Sequence, residues 1–521
     1  MRASGFLNPF LKLNTSHLKL SFIRKLCQAL FLLLFLFLFI QTQSKGFDTL
    51  GYPVRIFLDF DPLILISTFL AGHAVSKAMP LALITILLTV ALGRVFCGWI
   101  CPLGTLNNMM GAFPVRRKAV PAGLFRLKYY LLFVLLAGSL FSLQLSGLFD
   151  PISILIRSFT LSVYPLLNRA AMALLGAADN LGGAGFTDQL YERLRGGVLA
   201  FTQPYYLQSV FVGLIFAAIL LANLVQKRFW CRFLCPLGAL LGLLGRFSML
   251  GLEVSEGCAT CGACALHCQG DAVTDGGRGR RPSECLVCFD CDDPCPSSSV
   301  GYGRRAAHAA LDLPRRGVIT SLASGMLLAP FLRLSPPVSN PLLIRPPGAR
   351  PEPEFLKRCV KCGECMKVCI TGGLQPTLLE AGLEGIWTPR LVPRIGYCEF
   401  HCTLCGQVCP TGAIGRLARE DKVKVKIGLA MIDKSRCLPH SHAMACIACQ
   451  EVCPTSPKAV WLEEAEAKSR DGAIVRLNQP HIDLQRCIGC GICEKVCPVA
   501  DRPAVYITSL GESRSPGNQL S

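Results

Sequence analysis

Two observations predict a membrane α-helical protein, with four to five transmembrane helices, that also carries small α+β domains rich in cysteine. The first 250 of the 521 residues contain long apolar runs, whereas the remainder is polar by comparison. Of the 29 cysteines, most lie in that second part and recur at fixed spacing. The expected organisation is a helical membrane domain at 1–250, a small cysteine-rich domain at 251–303, a linker with a candidate fifth span at 304–340, and a larger cysteine-rich domain at 341–521.

Spans are expected at 26–42, about 79–97, about 127–147 and about 207–226, each near the ~20 apolar residues that cross a bilayer. The first reads as an uncleaved anchor, because no small-residue cleavage site follows Ile40; the alternative is a signal-peptide core. Leu58–Leu70 is apolar but short and begins Asp59-Phe-Asp61-Pro62, which suggests an interfacial or re-entrant piece. Arg2, Lys12, Lys19, Arg24 and Lys25 precede the first span. Arg94, Arg116, Arg117, Lys118, Arg126 and Lys128 lie between the second and third, and Lys227, Arg228, Arg232 and Arg246 follow the fourth. This distribution places the N-terminus and 251–303 in the cytoplasm of a multi-pass protein of the bacterial inner membrane. Residues 161–200 then become an extracytoplasmic cap of surface helices.

Twenty-four cysteines form six groups, each ending Cys-x2-Cys-x3-Cys: Cys258, Cys261, Cys264 and Cys268; Cys285, Cys288, Cys291 and Cys295; Cys359, Cys362, Cys365 and Cys369; Cys398, Cys402, Cys405 and Cys409; Cys437, Cys446, Cys449 and Cys453; Cys487, Cys490, Cys493 and Cys497. Pro296, Pro410, Pro454 and Pro498 complete the bacterial-ferredoxin run in four of them. Three thiolates on a tight loop hold one face of a [4Fe–4S] cluster, and the fourth serves a neighbouring cluster. About six clusters are therefore expected, in α+β domains of bacterial-ferredoxin type, with these 24 cysteines as iron ligands. Zinc sites use two separated Cys-x2-Cys pairs, and disulfide frameworks belong to short secreted chains. Within 258–295, ferredoxin precedent pairs Cys258, Cys261 and Cys264 with Cys295, and Cys285, Cys288 and Cys291 with Cys268. In the last four groups, sequential pairing and nesting of first with last both remain open. His440 and His442, in the long gap of the fifth group, read as loop residues more than ligands.

The formal charge of +19 does not indicate nucleic acid. Six clusters at about −2 each bring it to about +7, and much of the rest flanks apolar segments. No Cys-x-x-Cys-His occurs, so no haem c is expected, and no glycine-rich fingerprint argues for NAD or FAD.

The membrane part contains a repeat. Arg94-Val-Phe-Cys97-Gly-Trp-Ile-Cys101-Pro-Leu-Gly104 aligns without gaps onto Arg228-Phe-Trp-Cys231-Arg-Phe-Leu-Cys235-Pro-Leu-Gly238. A gap of four places both thiols on one helix face. Cys97, Cys101, Cys231 and Cys235 read as redox or metal-responsive dithiols near a quinone site. Plain burial of small apolar residues is the alternative, and it does not account for the same pattern twice. Cys27 reads as packing, and His73 as a structural residue that could also accept a quinol proton.

These motifs and the two adjacent cysteine groups resemble the membrane ferredoxin subunit NapH of periplasmic nitrate-reductase systems, over about residues 20–300. They also resemble part of the NosR-type membrane flavoproteins, less closely, since no large N-terminal flavin-binding region is present. The lead-in Leu343-Ile-Arg-Pro-Pro-Gly and the four groups after it resemble NapG, the multi-cluster ferredoxin partner of NapH. Together they imply a NapH–NapG fusion, a quinol dehydrogenase component that meets membrane lipid and the quinone pool and passes electrons to a reductase or cytochrome. NapG-like proteins are exported by a twin-arginine signal, and Arg315-Arg316 precede a moderately apolar stretch. A fifth span at about 317–334 would put 341–521 in the periplasm; a buried interdomain segment would keep every cluster cytoplasmic. Two other functions are compatible: a polyferredoxin accessory to metal-centre maturation or metal reduction, and a membrane redox sensor.

Overall fold

The computed structural model describes residues 20–43, 48–73, 79–113, 122–180, 184–195, 197–200, 203–255, 258–274, 277–291, 294–296, 299–304, 313–333, 340–468 and 472–515. Arg2, Lys12, Lys19, Arg116, Arg117, Lys118 and much of the 304–340 linker lie outside them. The spatial division cuts across the sequence segments. One unit gathers the described residues of Met1–Leu36, Leu81–Phe133 and Ala218–Ser321, and the other those of Phe37–Pro80, Val134–Ala217 and Leu322–Ser521.

In the first unit, the helix Ala82–Leu92 ends at Gly93, whose φ of +86° only glycine adopts without strain. A π turn at Phe96–Ile100 follows, Cys101 is extended, and Pro102 opens the helix Pro102–Gly111. The second repeat does the same: the short helix Phe229–Phe233, extended Cys235, then Pro236–Gly245. The expected single helix face for Cys97 and Cys101, or for Cys231 and Cys235, is therefore not formed. Proline bars the residue before it from helical backbone, so each second cysteine becomes an N-cap.

The small cysteine-rich domain of this unit is closed by Leu250–Val254 paired antiparallel with Val300–Arg304. A hairpin of Val273–Thr274 and Gly279–Arg280 lies within it, over a core of Leu252, Cys264, Val273, Cys291 and Val300. It is fastened to the helices through Glu284. The buried carboxylate accepts from Arg94 Nη1 at 3.1 Å, from Tyr129 Oη at 2.7 Å and from Lys128 Nζ. Burial disfavours its charge, but Lys128 and Arg94 outweigh this and hold Glu284 below the usual carboxylate range. Arg24 pairs with Asp290 at 2.9 Å, and Trp99 Nε1 donates to Val287 O at 2.9 Å. Gly98 lies so close to Leu286 that a Cβ there would sit 2.3 Å from its carbonyl oxygen.

In the second unit, the helix Pro62–Gly72 is capped by Asp61 and Pro151–Ser158 by Asp150. The cysteine-rich block contributes three antiparallel pairs: Leu374–Pro376 with Pro389–Leu391, Leu429–Ile432 with Val505–Thr508, and the nine-residue arms Val460–Lys468 with Ile474–Ile482. Its core of Phe355, Met366, Val368, Leu404, Val408, Leu429 and Ile507 is shared with Leu161, Tyr206 and Val212. Polar anchors repeat the connection. Tyr206 Oη donates to Met366 O at 3.1 Å, Arg157 Nη1 to Lys361 O at 3.0 Å, Lys361 Nζ to Gln144 O at 2.6 Å and Arg55 Nη1 to Gln407 O at 2.7 Å. Asp48 accepts from the N–H and hydroxyl of Thr403 at 2.7 and 2.8 Å.

Three helices among the described residues are long and apolar enough to cross a membrane: Leu20–Gln41, Gly123–Leu140 and Pro151–Ala178. This differs from the four to five expected. The segments at 79–97 and 207–226 form the shorter helices Met79–Leu92 and Ser209–Leu224, the first cut by Gly93. Residues 151–178, partly assigned to a surface cap by sequence, make one 28-residue apolar helix through a π turn at Phe159–Val163. The segment of the expected fifth span folds as the helix Arg315–Arg333 with Pro330 inside it, less apolar than the other three.

Glu284→Gln leaves Lys128 and Arg94 buried with too little counter-charge. Loss of about 3–5 kcal/mol is expected, measured as a lowered unfolding midpoint of the detergent-solubilised protein; an unchanged midpoint would show that Glu284 does not fasten the domain.

Candidate iron–sulfur ligand sets

Three of the cysteine groups build their loops alike. Gly262, Gly363 and Gly491 take left-handed backbone (φ +74°, +89° and +86°), and short helices then carry Cys264, Cys365 and Cys493. The last cysteine of a group behaves differently. Cys268, Cys409 and Cys497 are extended, with ψ of 113°, 114° and 122°, so the chain leaves its own loop there.

In the first unit, Cys264 interacts with Cys258 and Cys295. Cys288 and Cys291 interact with Cys285 and Cys268. The crosswise arrangement expected from ferredoxin precedent is therefore present. Cys261 is exposed at the edge of its loop.

In the second unit, the groups pair sequentially, not first with last. Cys365 faces Cys359, Cys362 and Cys409, and Cys405 faces Cys398, Cys402 and Cys369. Cys437 faces Cys446 and Cys497, and Cys490 faces Cys487 and Cys453. The sets also lie in a row, each within electrostatic reach of the next. Cys365 reaches Cys405, Cys398 reaches Cys490, and Cys493 reaches Cys449. The middle contact includes a 2.8 Å hydrogen bond from Cys398 N–H to Cys490 O.

The residues fit iron–sulfur clusters. Small cavities of about 30, 30 and 20 Å³ are lined respectively by Cys369, Cys398, Cys402 and Cys405, by Cys437, Cys446, Cys449 and Cys497, and by Cys359, Cys362, Cys365 and Cys409. Their other walls are mainly apolar, including Val368, Leu374, Leu391 and Ile427 in the first. Among the described residues, no set of three or more His, Cys, Asp or Glu converges on a single ion. Burial pushes the thiols of Cys359, Cys398 and Cys490 up to about 11, so positive iron is needed to hold them as thiolates. Donors stand ready for sulfur: Ala272 N–H at 3.2 Å from Cys268, Ala430 N–H at 3.4 Å from Cys487 and Thr455 Oγ1 at 3.3 Å from Cys453. His440 is engaged elsewhere, 3.1 Å from Pro480 O and against the His481 ring.

The repeated cysteines are also brought together. Cys101 interacts with Cys231 and Cys97, and Cys235 with Cys231, Cys97 and Cys101. Cys27 is a half-buried free cysteine on the helix Leu20–Gln41. His73 is an exposed left-handed C-cap of Pro62–Gly72.

One pair escaped the sequence reading. Asp61 and Asp150 are fully buried. Asp61 Oδ1 accepts from the N–H of Leu63 at 2.8 Å and of Ile64 at 3.2 Å, and Asp150 Oδ2 from Ser153 N–H at 2.7 Å. The two carboxyls lie within electrostatic reach of each other. The signal was the Asp-Pro dipeptide, present at both Asp61-Pro62 and Asp150-Pro151.

Comparison with known proteins agrees with this chemistry. Residues 79–121, 208–250 and 405–429 match one 4Fe-4S binding domain, and 479–499 match a second family of the same description. The putative electron transport protein YccM of Escherichia coli is 29% identical over 43% of this chain and 55% of its own length. The methylamine utilization ferredoxin-type protein MauM of Paracoccus denitrificans is 40% identical over 19% of this chain and 45% of its own. The ferredoxin-type protein NapG of Escherichia coli is 38% identical over 18% of this chain and 41% of its own. The chain thus spans about half the length of these relatives. No solved structure matches.

Pairing can be tested by iron counts. Cys446→Ala with Cys497→Ala strikes one spatial set and is expected to remove about four irons per chain. Cys487→Ala with Cys497→Ala strikes one sequence group but two sets, and about eight should be lost. Equal losses would reject the pairing.

Proposed function

From this kinship with ferredoxin-type electron-transport proteins, we propose that the chain is a membrane-bound quinol-oxidising protein. It would carry about six [4Fe–4S] clusters and hand electrons to a partner reductase or cytochrome. The observation that carries the proposal is the row of four cysteine sets in the second unit, each within electrostatic reach of the next. Bound clusters supply one-electron carriers whose potentials the surrounding protein sets. The chain's residues hold these sites in apolar walls that exclude water, and fasten the row to the helical segments through Arg157, Lys361 and Tyr206. The NapH-like and NapG-like halves would then combine quinol oxidation and electron delivery in one polypeptide.

Quinol oxidation yields quinone, two electrons and two protons, so it needs a proton acceptor shielded from water. Asp61 and Asp150 suit that role. The pair would accept one of the two protons, the second leaving to bulk water, and it lies in the unit that contains the cysteine row. Arg157, in reach of both Asp150 and Cys362, connects the pair to the first cysteine set.

Unit membership supports one reading of the sidedness. Residues 341–521 pack with the segment 48–73, part of a loop that the Lys/Arg distribution leaves extracytoplasmic. The 251–303 domain packs with Arg24, Arg94 and Lys128, on the cytoplasmic side. This favours a periplasmic location for 341–521, with Arg315–Arg333 as the connecting span.

Three outcomes are expected. In vesicles, menaquinol or ubiquinol should bleach iron–sulfur absorbance; failure of both with intact clusters rejects quinol oxidation. Asp150→Asn, which can still cap its helix, should slow quinol-driven bleaching by about 10²-fold or more while dithionite reduction is unchanged. A reporter active only in the periplasm, fused after Ser521, should be active; activity of a cytoplasmic reporter alone would place 341–521 inside.

A further inference from the structure

We propose that Cys97, Cys101, Cys231 and Cys235 together ligate one further iron–sulfur cluster, shared between the two copies of the membrane repeat. The stretches 79–121 and 208–250 each match a 4Fe-4S binding domain, yet each holds only two cysteines, half of what a cluster needs. Folding completes the set by joining the halves. All four cysteines are free, and each is within electrostatic reach of the others.

The two copies are exchanged across the site. Arg94 and Arg228 hold the same place in the repeat, three residues before the first cysteine. Arg94 of the first copy reaches over Gly238 of the second, where a Cβ would sit 3.0 Å from its Nη2. Arg228 of the second copy donates to Cys97 O of the first at 3.0 Å. The thiols are treated alike as well. Gly104 N–H lies 3.4 Å from Cys101 Sγ, and Gly238 N–H lies 3.2 Å from Cys235 Sγ, each at the start of a ten-residue helix. Asn107 Nδ2 approaches Cys231 Sγ at 3.8 Å. Such donors stabilise negative sulfur.

Charge points to an anionic centre. Arg94, Lys128 and Arg228 are buried, and Glu284 is the acidic side chain paired with the first two. Arg228 is 1% exposed, and its Nε and Nη2 have no hydrogen-bond partner. The excess of about two positive charges would be very costly in an apolar interior. Ligation of iron and sulfide by four cysteines releases the four thiol protons and leaves a centre of about −2. A single ion fits less well, because among the described residues no three such side chains converge on one. The site also adjoins a ferredoxin loop: Gly98 and Trp99, between Cys97 and Cys101, contact Leu286 and Val287, between Cys285 and Cys288.

The test is metal and sulfide analysis of the full chain, purified anaerobically, beside Cys101→Ser with Cys235→Ser. The variant should lose two to four irons and as many sulfides, together with one EPR or Mössbauer component, while the signals of the other sets persist. Equal iron in both proteins, loss of zinc instead, or a native disulfide among these four cysteines would overturn the proposal. Should the double variant not assemble, Arg228→Gln keeps all four thiols. A redox titration should then move one component to lower potential at constant iron, and unmoved components would overturn it. None of these readouts uses quinol, so the result stands apart from the proposed activity.

Discussion

One backbone restriction recurs at several of the candidate sites: a residue that precedes a proline is kept away from helical backbone. Cys409 and Cys497 precede Pro410 and Pro498, and both are extended. A fourth thiol that continued its helix would stay with its own loop; extended backbone sends it to the neighbouring set. Cys101 and Cys235 obey the same rule before Pro102 and Pro236, and Asp61 and Asp150 obey it before Pro62 and Pro151. At Cys101, Cys235, Asp61 and Asp150 the proline also starts a new helix, and the side chain accepts from one of its first N–H groups. Cysteine sets and the carboxyl pair thus share one local device.

The second constraint is the cost of buried charge. Both units use buried cations as fasteners and satisfy them with carbonyls or a single carboxylate. Glu284 gathers Arg94, Lys128 and Tyr129, whereas Arg157 and Lys361 reach backbone oxygens of Gly147, Leu148 and Gln144. Glycines at the same contacts let backbone meet backbone. A Cβ on Gly147 would lie 1.9 Å from Val360 O, as one on Gly98 would lie 2.3 Å from Leu286 O. Each cysteine-rich part is therefore seated on its helical neighbours by close backbone approach and then locked by charge-assisted hydrogen bonds.

The ligand types were legible because iron chemistry demands cysteine at short fixed spacing, and spacing is local. The strand pairs that frame the clusters are two to nine residues long, too short to give clear periodicity beside that pattern. Helix lengths were read less well. Hydropathy marks apolar stretches, but Gly93 shortens one and the π turn at Phe159–Val163 joins two others, and neither changes composition. The Asp61–Asp150 pair was missed because a lone Asp-Pro reads as a helix start, and only its partner 89 residues away makes it unusual.

The sequence by itself determined the cofactor class, the number of candidate ligands and the duplicated membrane motif, since each depends on residue type and nearest neighbours. Tertiary structure alone decided which groups combine. It chose sequential over nested pairing, put the four repeat cysteines in one place, and set 341–521 on the segments 48–73 and 144–212. Those outcomes turn on which distant surfaces bury one another, through contacts such as Gly147 on Val360 and Gly98 on Leu286, and no spacing along the chain encodes them.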